Sequence, residues 1–315
     1  MELYATDDNA IPDGAVIGSI TSVGGVRLRY ARWRATARRA LGTVCLFQGR
    51  GESIERYFET VVALRERGFS VAAVDWRGQG GSERPLRNPR KSHVDGFTEY
   101  DADLNTFMQR VALPDCPPPY FAIGHSTGAL ICLRAARSGT VQFDRMVLTS
   151  PFVDFGMTRT PAPTFCRIAA FMTAVGLGEL SAPGQAAEVL QNTPFEDNRL
   201  TGDPIRFARN KALVESHPQI TVDGPTFGWL YAACTAVRQA MGPDFTTDIR
   251  VPTLIVAGGM EKLVSLSAAE GLADRLRGGG QLTIAGGRHE LLMERDGIRE
   301  QFWAAFDAFV PGSAS

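Results

Sequence analysis

Charge imbalance is absent from this chain: 33 Lys and Arg stand against 34 Asp and Glu, a net charge of -1. No global field is left to recruit nucleic acid, so none is expected as a partner. Histidine is scarce, with 4 in 315 residues, and no His/Glu pair has metal-ligand spacing, so no metal is expected. There is no Gly-Lys-Ser/Thr loop. The glycines of Gly78-Gln79-Gly80-Gly81 neither end the first strand nor open a helix, which argues against a dinucleotide fingerprint. No cofactor is therefore expected.

Cysteine is also sparse. The five, Cys45, Cys116, Cys132, Cys166 and Cys234, are odd in number and lack Cys-x-x-Cys spacing. They read as free buried thiols in a reducing cytoplasm. Residues Met1 to Asp8 are acidic without an apolar core, unlike a signal peptide. The longest apolar stretch, Ile168 to Leu177, is too short to span a bilayer.

What is present is an ordinary globular composition, 44% hydrophobic and 21% charged, long enough for one large α/β domain with an insertion. Residues 1 to about 15 are polar and read as a loosely held arm. Ile20 to Trp33 alternates around Gly24-Gly25 as a β-hairpin with its charges outward. Buried strands are expected at Thr43–Phe47 and Tyr120–Ile123, and further strands at Phe69–Val74, Arg145–Thr149, Val251–Ala257 and Gln281–Ile284. Helices are expected at 54–67, 97–113, from Ala129, at 267–277 and at 297–309. That alternation implies right-handed βαβ units and a mostly parallel sheet. It breaks after Pro151. Residues 153–245 carry eight prolines among apolar helical stretches, and read as a helical cap inserted into a core of 1–152 and 246–315.

The chemistry is expected around Gly124-His125-Ser126-Thr127-Gly128, a Gly-x-Ser-x-Gly turn between a strand and a helix. Such a turn presents Ser126 at a helix N-terminus, where free N–H groups face a developing oxyanion. A serine hydroxyl needs a base, and the base an acid, in the chain order Ser, Asp/Glu, His. His289 follows the last strand directly and is the expected base. His125 lies inside the turn as a packing residue, while His93 and His217 lie away from strand ends. Glu261, in the loop after Leu254–Ala257, is the expected acid. Asp154, after the Arg145–Thr149 strand, is its rival. The oxyanion donors are expected to be the backbone N–H groups of Thr127 and Arg50, the latter in the Gln48-Gly49-Arg50-Gly51 turn.

These segments, with Asp75-Trp76-Arg77-Gly78-Gln79-Gly80-Gly81-Ser82 and Gly287-Arg288-His289-Glu290, resemble the α/β-hydrolase superfamily over about residues 25 to 310. Within it the resemblance is to lysophospholipases and monoacylglycerol lipases. Two positions depart from that pattern: Gln48 stands where the family has His, and Glu261 where it has Asp. The resemblance implies an α/β-hydrolase fold and hydrolysis of a lipid or monoglyceride ester through a serine acyl-enzyme. A cap rich in Phe165, Phe171, Met172, Phe227 and Trp229 could shelter an acyl chain or form its own core. It is also the part expected to touch a membrane transiently. The same triad serves peptidases, thioesterases and acyltransferases, and a lapsed triad would leave a small-molecule binding protein. Ser126 at the turn disfavours dehalogenases and epoxide hydrolases, which carry Asp there.

Overall fold

The computed structural model describes residues 1–156, 158, 160–183 and 193–311. In chain order the strands are β1 Val16–Thr21, β2 Arg27–Trp33, β3 Thr43–Phe47, β4 Ser70–Val74, β5 Tyr120–His125, β6 Arg145–Thr149, β7 Thr253–Gly258 and β8 Gly279–Ile284. The helices are α1 Phe58–Glu66, α2 Phe97–Phe107, α3 Leu113–Asp115, α4 Thr127–Ser138, α5 Ala162–Ala174, α6 Pro204–Ser216, α7 Phe227–Ala240, α8 Leu266–Arg275 and α9 Asp296–Phe309. The strands form one eight-stranded sheet in the order β1-β2-β4-β3-β5-β6-β7-β8. Only β2 runs against its neighbours, and β3 to β8 are parallel.

Period-two alternation explains the layers. Val44 and Leu46 of β3 point into a core with Phe58 and Val61 of α1 and Phe302 and Phe306 of α9. Cys45 and Phe47 point the other way, against Leu104 and Phe107 of α2 and Leu130 and Leu133 of α4. Both faces are covered over β3 to β7, so these parallel strands are largely apolar, whereas β8 at the sheet edge leaves Gln281 and Thr283 exposed.

Register then aligns the strand ends. Phe47 pairs with Gly124, His125 with Thr149, Thr149 with Val256, and Gly258 with Ile284. The turns at 48–52, 126, 150–154, 259–264 and 285–290 therefore open on one edge.

Between β6 and β7 the described residues hold α5, α6 and α7, which lie over that edge. Thr226 N–H donates to Ser92 O, Asp223 N–H to Arg90 O, and Thr201 Oγ1 to Met293 O. Glu59 of α1 pins α6 and α9 together, meeting Arg206 (2.6 Å), Arg209 (2.8 Å) and Arg299. Burial works against the Glu59 charge, but the Arg206 hydrogen bonds and the other guanidiniums override it, and the carboxyl pKa falls to about 2. A depressed pKa stabilises the fold above the unfolded value, and the gain is lost as pH falls toward 2. Glu59→Gln should cost about 1–3 kcal/mol at pH 7 by leaving three guanidiniums underpaired. Calorimetry at pH 7 and again near pH 3 should show the wild-type advantage shrinking with acid.

Three expectations are corrected. The N-terminal arm is tied down: Leu3 is buried, Asn9 Nδ2 donates to Glu55 O (2.9 Å), and Trp33 Nε1 donates to Pro12 O (3.0 Å). The hairpin does not keep all its charges outward, because Arg29 is only 1% exposed and binds Glu55 and Asp75. Strand β2 lies inside the sheet, between β1 and β4, and buries Leu28, Arg29, Ala31 and Trp33 on its two faces. Finally, Cys166 of α5 and Cys234 of α7 form a disulfide, their Cα atoms 5.8 Å apart. Helices 68 residues apart pack side by side, which local spacing cannot foretell. Cys45, Cys116 and Cys132 are free and buried as expected. Two of the five thiols thus leave the argument for a reducing compartment. Alkylation of the denatured chain should label three cysteines without reductant and five with it, counted by mass spectrometry.

Candidate active site

Strand β5 ends at His125 and helix α4 begins at Thr127, which leaves Ser126 alone to make the turn. It does so at φ 50, ψ -113, a conformation that costs a non-glycine residue about 1–3 kcal/mol. The flanking glycines are demanded by close approach. A Cβ at Gly128 would lie 2.2 Å from the Phe47 carbonyl oxygen, and one at Gly124 would lie 2.9 Å from the Ala129 Cα. Ser126 N–H donates to Thr149 O (2.9 Å), and its carbonyl accepts from Phe152 N–H (3.1 Å), so the strain is held from both sides.

His289 and Glu261 arrive on neighbouring turns. Met260 N–H donates to Gly287 O (2.9 Å), which joins the turn after β7 to the turn after β8. His289 Nδ1 lies 2.8 Å from Glu261 Oε2. The other carboxylate oxygen accepts from the N–H groups of Leu263 (2.7 Å), Lys262 (2.9 Å) and Val264 (3.3 Å). The longer glutamate thus folds back on its own turn, where these three N–H groups fix its orientation. Its side chain has no exposed surface. Burial pushes the Glu261 pKa up, but the charge and hydrogen bond of His289, Leu263 N–H and Ser150 pull it down to about 2. An ionised carboxylate can only accept, so Nδ1 carries the proton and Nε2 is left basic. Burial disfavours the His289 cation, yet Glu261 overrides this and its pKa ends above the ordinary value.

Asp154 does not share this bond; its Oδ1 accepts from Phe155 N–H (2.7 Å). His125 packs against His289 with ring centroids 4.7 Å apart, and its Nδ1 meets Thr149 Oγ1 at 3.0 Å. Burial drives the His125 pKa down to about 4, so it is neutral. His93 bonds Thr226 Oγ1 (2.7 Å) and His217 bonds Ala5 O (3.1 Å), both away from Ser126.

The turn after β3 comes within contact of the serine: a Cβ on Gly49 would lie 3.3 Å from Ser126 Cβ. Gly49 N–H is taken by Glu52 Oε2 (2.6 Å) and Gly51 N–H by Gln79 Oε1 (3.1 Å). Arg50 N–H between them has no acceptor among the described residues. Gln48 turns inward, its Nε2 donating to Asp75 Oδ1 (2.8 Å). The side chain that departs from the family pattern therefore anchors the turn and leaves its backbone free. Thr127 supplies the first N–H of α4, which has no partner within the helix.

Among the expected cap residues, Phe171 is 65% exposed, whereas Phe165, Phe227 and Trp229 are buried and Met172 is packed partly against the core. Trp229 stacks on Phe152 (6.2 Å) and donates from Nε1 to Tyr100 OH (3.1 Å). A cleft of about 330 Å³ lined by Arg32, Ser70, Asp115 and Pro117 lies at the amino ends of the strands and holds none of these groups.

Two features escaped sequence reasoning. Ser150, at φ 43 just past β6, donates its hydroxyl to His289 O (2.9 Å). Glu52, Arg56 and Glu290 form a buried ion network beside His289, with Arg56 Nη2 2.7 Å from both Glu290 oxygens. The adjacency of Glu290 to His289 was the one visible signal for it.

A family profile described as "Serine aminopeptidase, S33" matches residues 38–296. The chain belongs to this hydrolase family. This serine hydrolase is 30% identical over 298 residues to lysophospholipase L2 of Escherichia coli (strain K12), covering 89% of the chain and 82% of the relative. It is 27% identical over 261 residues to a monoacylglycerol lipase of Mycolicibacterium smegmatis, covering 82% and 83%. Among solved structures, a carboxyl esterase from Bacillus coagulans matches with TM-score 0.76 at 21% identity, over 95% of the hydrolase and 98% of that chain. A monoglyceride lipase from Saccharomyces cerevisiae matches with TM-score 0.74 at 17% identity, over 96% and 98%. At these identities the structural matches establish the α/β-hydrolase fold.

Proposed function

We propose that this hydrolase cleaves the carboxylic ester of a lysophospholipid or monoacylglycerol, with Ser126 as nucleophile, His289 as base and Glu261 as the acid behind it. The observation that carries this reading is the 2.8 Å bond between His289 Nδ1 and Glu261 on the turns beside the strained serine. Nε2 takes the Ser126 proton as Oγ attacks the ester carbonyl. The oxyanion accepts from the Thr127 and Arg50 N–H groups, and one such donor contributes roughly a hundredfold to a thousandfold in rate. Collapse expels the glycerol-bearing alcohol, which takes its proton from His289. Water, activated by the same ring, then releases the fatty acid.

In this reading 153–245 is the cap. Ile168, Phe171, Val175, Leu177 and Leu180 are exposed within one short span, which supports transient contact with a lipid surface. Among the described residues no helix is long and apolar enough to cross a membrane. The test is a panel of lysolipids, monoglycerides and aminoacyl anilides, with Ser126→Ala as control. The anilides are included because the family description names an aminopeptidase. Cleavage of anilides in preference to lipid esters would overturn the lipid assignment.

A further inference from the structure

Arg50 has a second end. Its side chain leaves the turn toward α7, where the guanidinium stands 5.4 Å from the Trp229 ring centroid. Its one described polar contact is Nη1 to the Asp223 carbonyl oxygen, at 3.3 Å. No carboxylate lies within ion-pairing distance of it among the described residues. The comparison within the molecule is sharp. Arg29 holds Glu55 and Asp75, Arg56 holds Glu52 and Glu290, Arg77 holds Glu99 and Asp103, and Arg206 holds three acids. The acids nearest Arg50 are committed elsewhere. Asp223 pairs with Arg90 (2.6 Å), and Glu52 serves Gly49 N–H, Tyr57 and Arg56.

Arg50 is half-buried, and a partly desolvated cation with no counter-ion among the described residues is unfavourable; burial pulls its pKa below the ordinary value. A second guanidinium with no acid among the described residues, that of Arg84, flanks the same cap segment. Arg84 Nη2 donates to Gln219 O (3.0 Å) and its Nη1 is buried without a partner among the described residues, while Arg90, paired with Asp223, also binds Thr221 Oγ1. The guanidinium also lies on the nucleophile's side of the cap, because Trp229 stacks on Phe152, whose N–H bonds the Ser126 carbonyl.

We propose that the Arg50 side chain is the anchor for the phosphate of a lysophospholipid whose ester carbonyl sits on the same residue's backbone N–H. This rests on the esterase reading above and adds the feature that selects among its substrates. In such a lipid the carbonyl oxygen and the phosphorus are separated by about seven bonds, a reach close to the roughly six bonds from an arginine backbone nitrogen to its guanidinium carbon. A planar guanidinium matches a phosphate through paired, charge-assisted hydrogen bonds, while the neutral hydroxyls of a monoglyceride offer it no charge.

The test is a ratio. The kcat/KM for a lysophospholipid is divided by that for the monoacylglycerol with the same acyl chain, so any general loss through the turn cancels. In Arg50→Met this ratio should fall about tenfold to a hundredfold, and Arg50→Lys should recover part of it. A ratio unchanged in Arg50→Met, whether both rates drop or neither does, overturns the anchor and leaves the esterase reading standing. A wild-type chain that cleaves neither ester overturns both. A second measurement needs no variant: sn-glycerol 3-phosphate should compete with monoacylglycerol for the wild-type enzyme more strongly than glycerol does. Equal inhibition by the two overturns the anchor.

Discussion

Ser126→Ala is expected to abolish stoichiometric labelling by a fluorophosphonate and to lower ester turnover by about four orders of magnitude or more, with the fold retained. The loss is this large because in the proposed mechanism Ser126 alone forms the acyl-enzyme, and without it the base and the oxyanion donors lose the step they serve. The fold should survive because the turn is held by backbone bonds to Thr149 and Phe152 and by close packing at Gly124 and Gly128, none of which uses the hydroxyl. Labelling that persists in the folded variant would remove Ser126 from its role.

Glu261→Gln is expected to cost roughly a thousandfold to ten-thousandfold in kcat, through loss of the tautomer that leaves Nε2 basic. An amide can present its NH2 to Nδ1 and trap the proton on the wrong nitrogen. Asp154→Asn should do far less, since Asp154 caps only its neighbour's N–H. The reverse ranking would transfer the role to Asp154. The pH profile gives an independent reading. With His289 as the proposed base, activity needs its neutral form, so kcat/KM should rise with pH through a pKa above the usual 6.5. Removing the Glu261 charge should move that acid limb to lower pH. A limb that stays in place would show that Glu261 does not set the charge of the ring.

Legibility in the sequence followed the range of the interactions. The buried strands were readable because each is a short apolar run bounded by turn residues, and Arg145–Thr149 matched its strand at both ends. Helix α6 was readable in principle, since Asp203 caps the N–H groups of Ile205 and Arg206 and Pro204 takes the first position. Apolar spacing alone did not single it out. The docked N-terminal arm, the buried Arg29 and the Cys166–Cys234 bridge had no local signal, because each partner lies 21 to 68 residues away in the chain.

The sequence by itself determined the alternation that makes a parallel sheet, the glycine-flanked serine, and the order serine, acid, histidine. These are properties of short segments, written in apolar period, turn residues and position after a strand. Only the tertiary structure decided that His289 Nδ1 meets Glu261 rather than Asp154, that Gln48 faces inward, and that among the described residues the Arg50 N–H has no acceptor and its guanidinium no acid. Those outcomes depend on which side chains from distant turns share a few ångströms at one edge of the sheet. Strand register brings the turns there, and burial then sets the charge each group can keep.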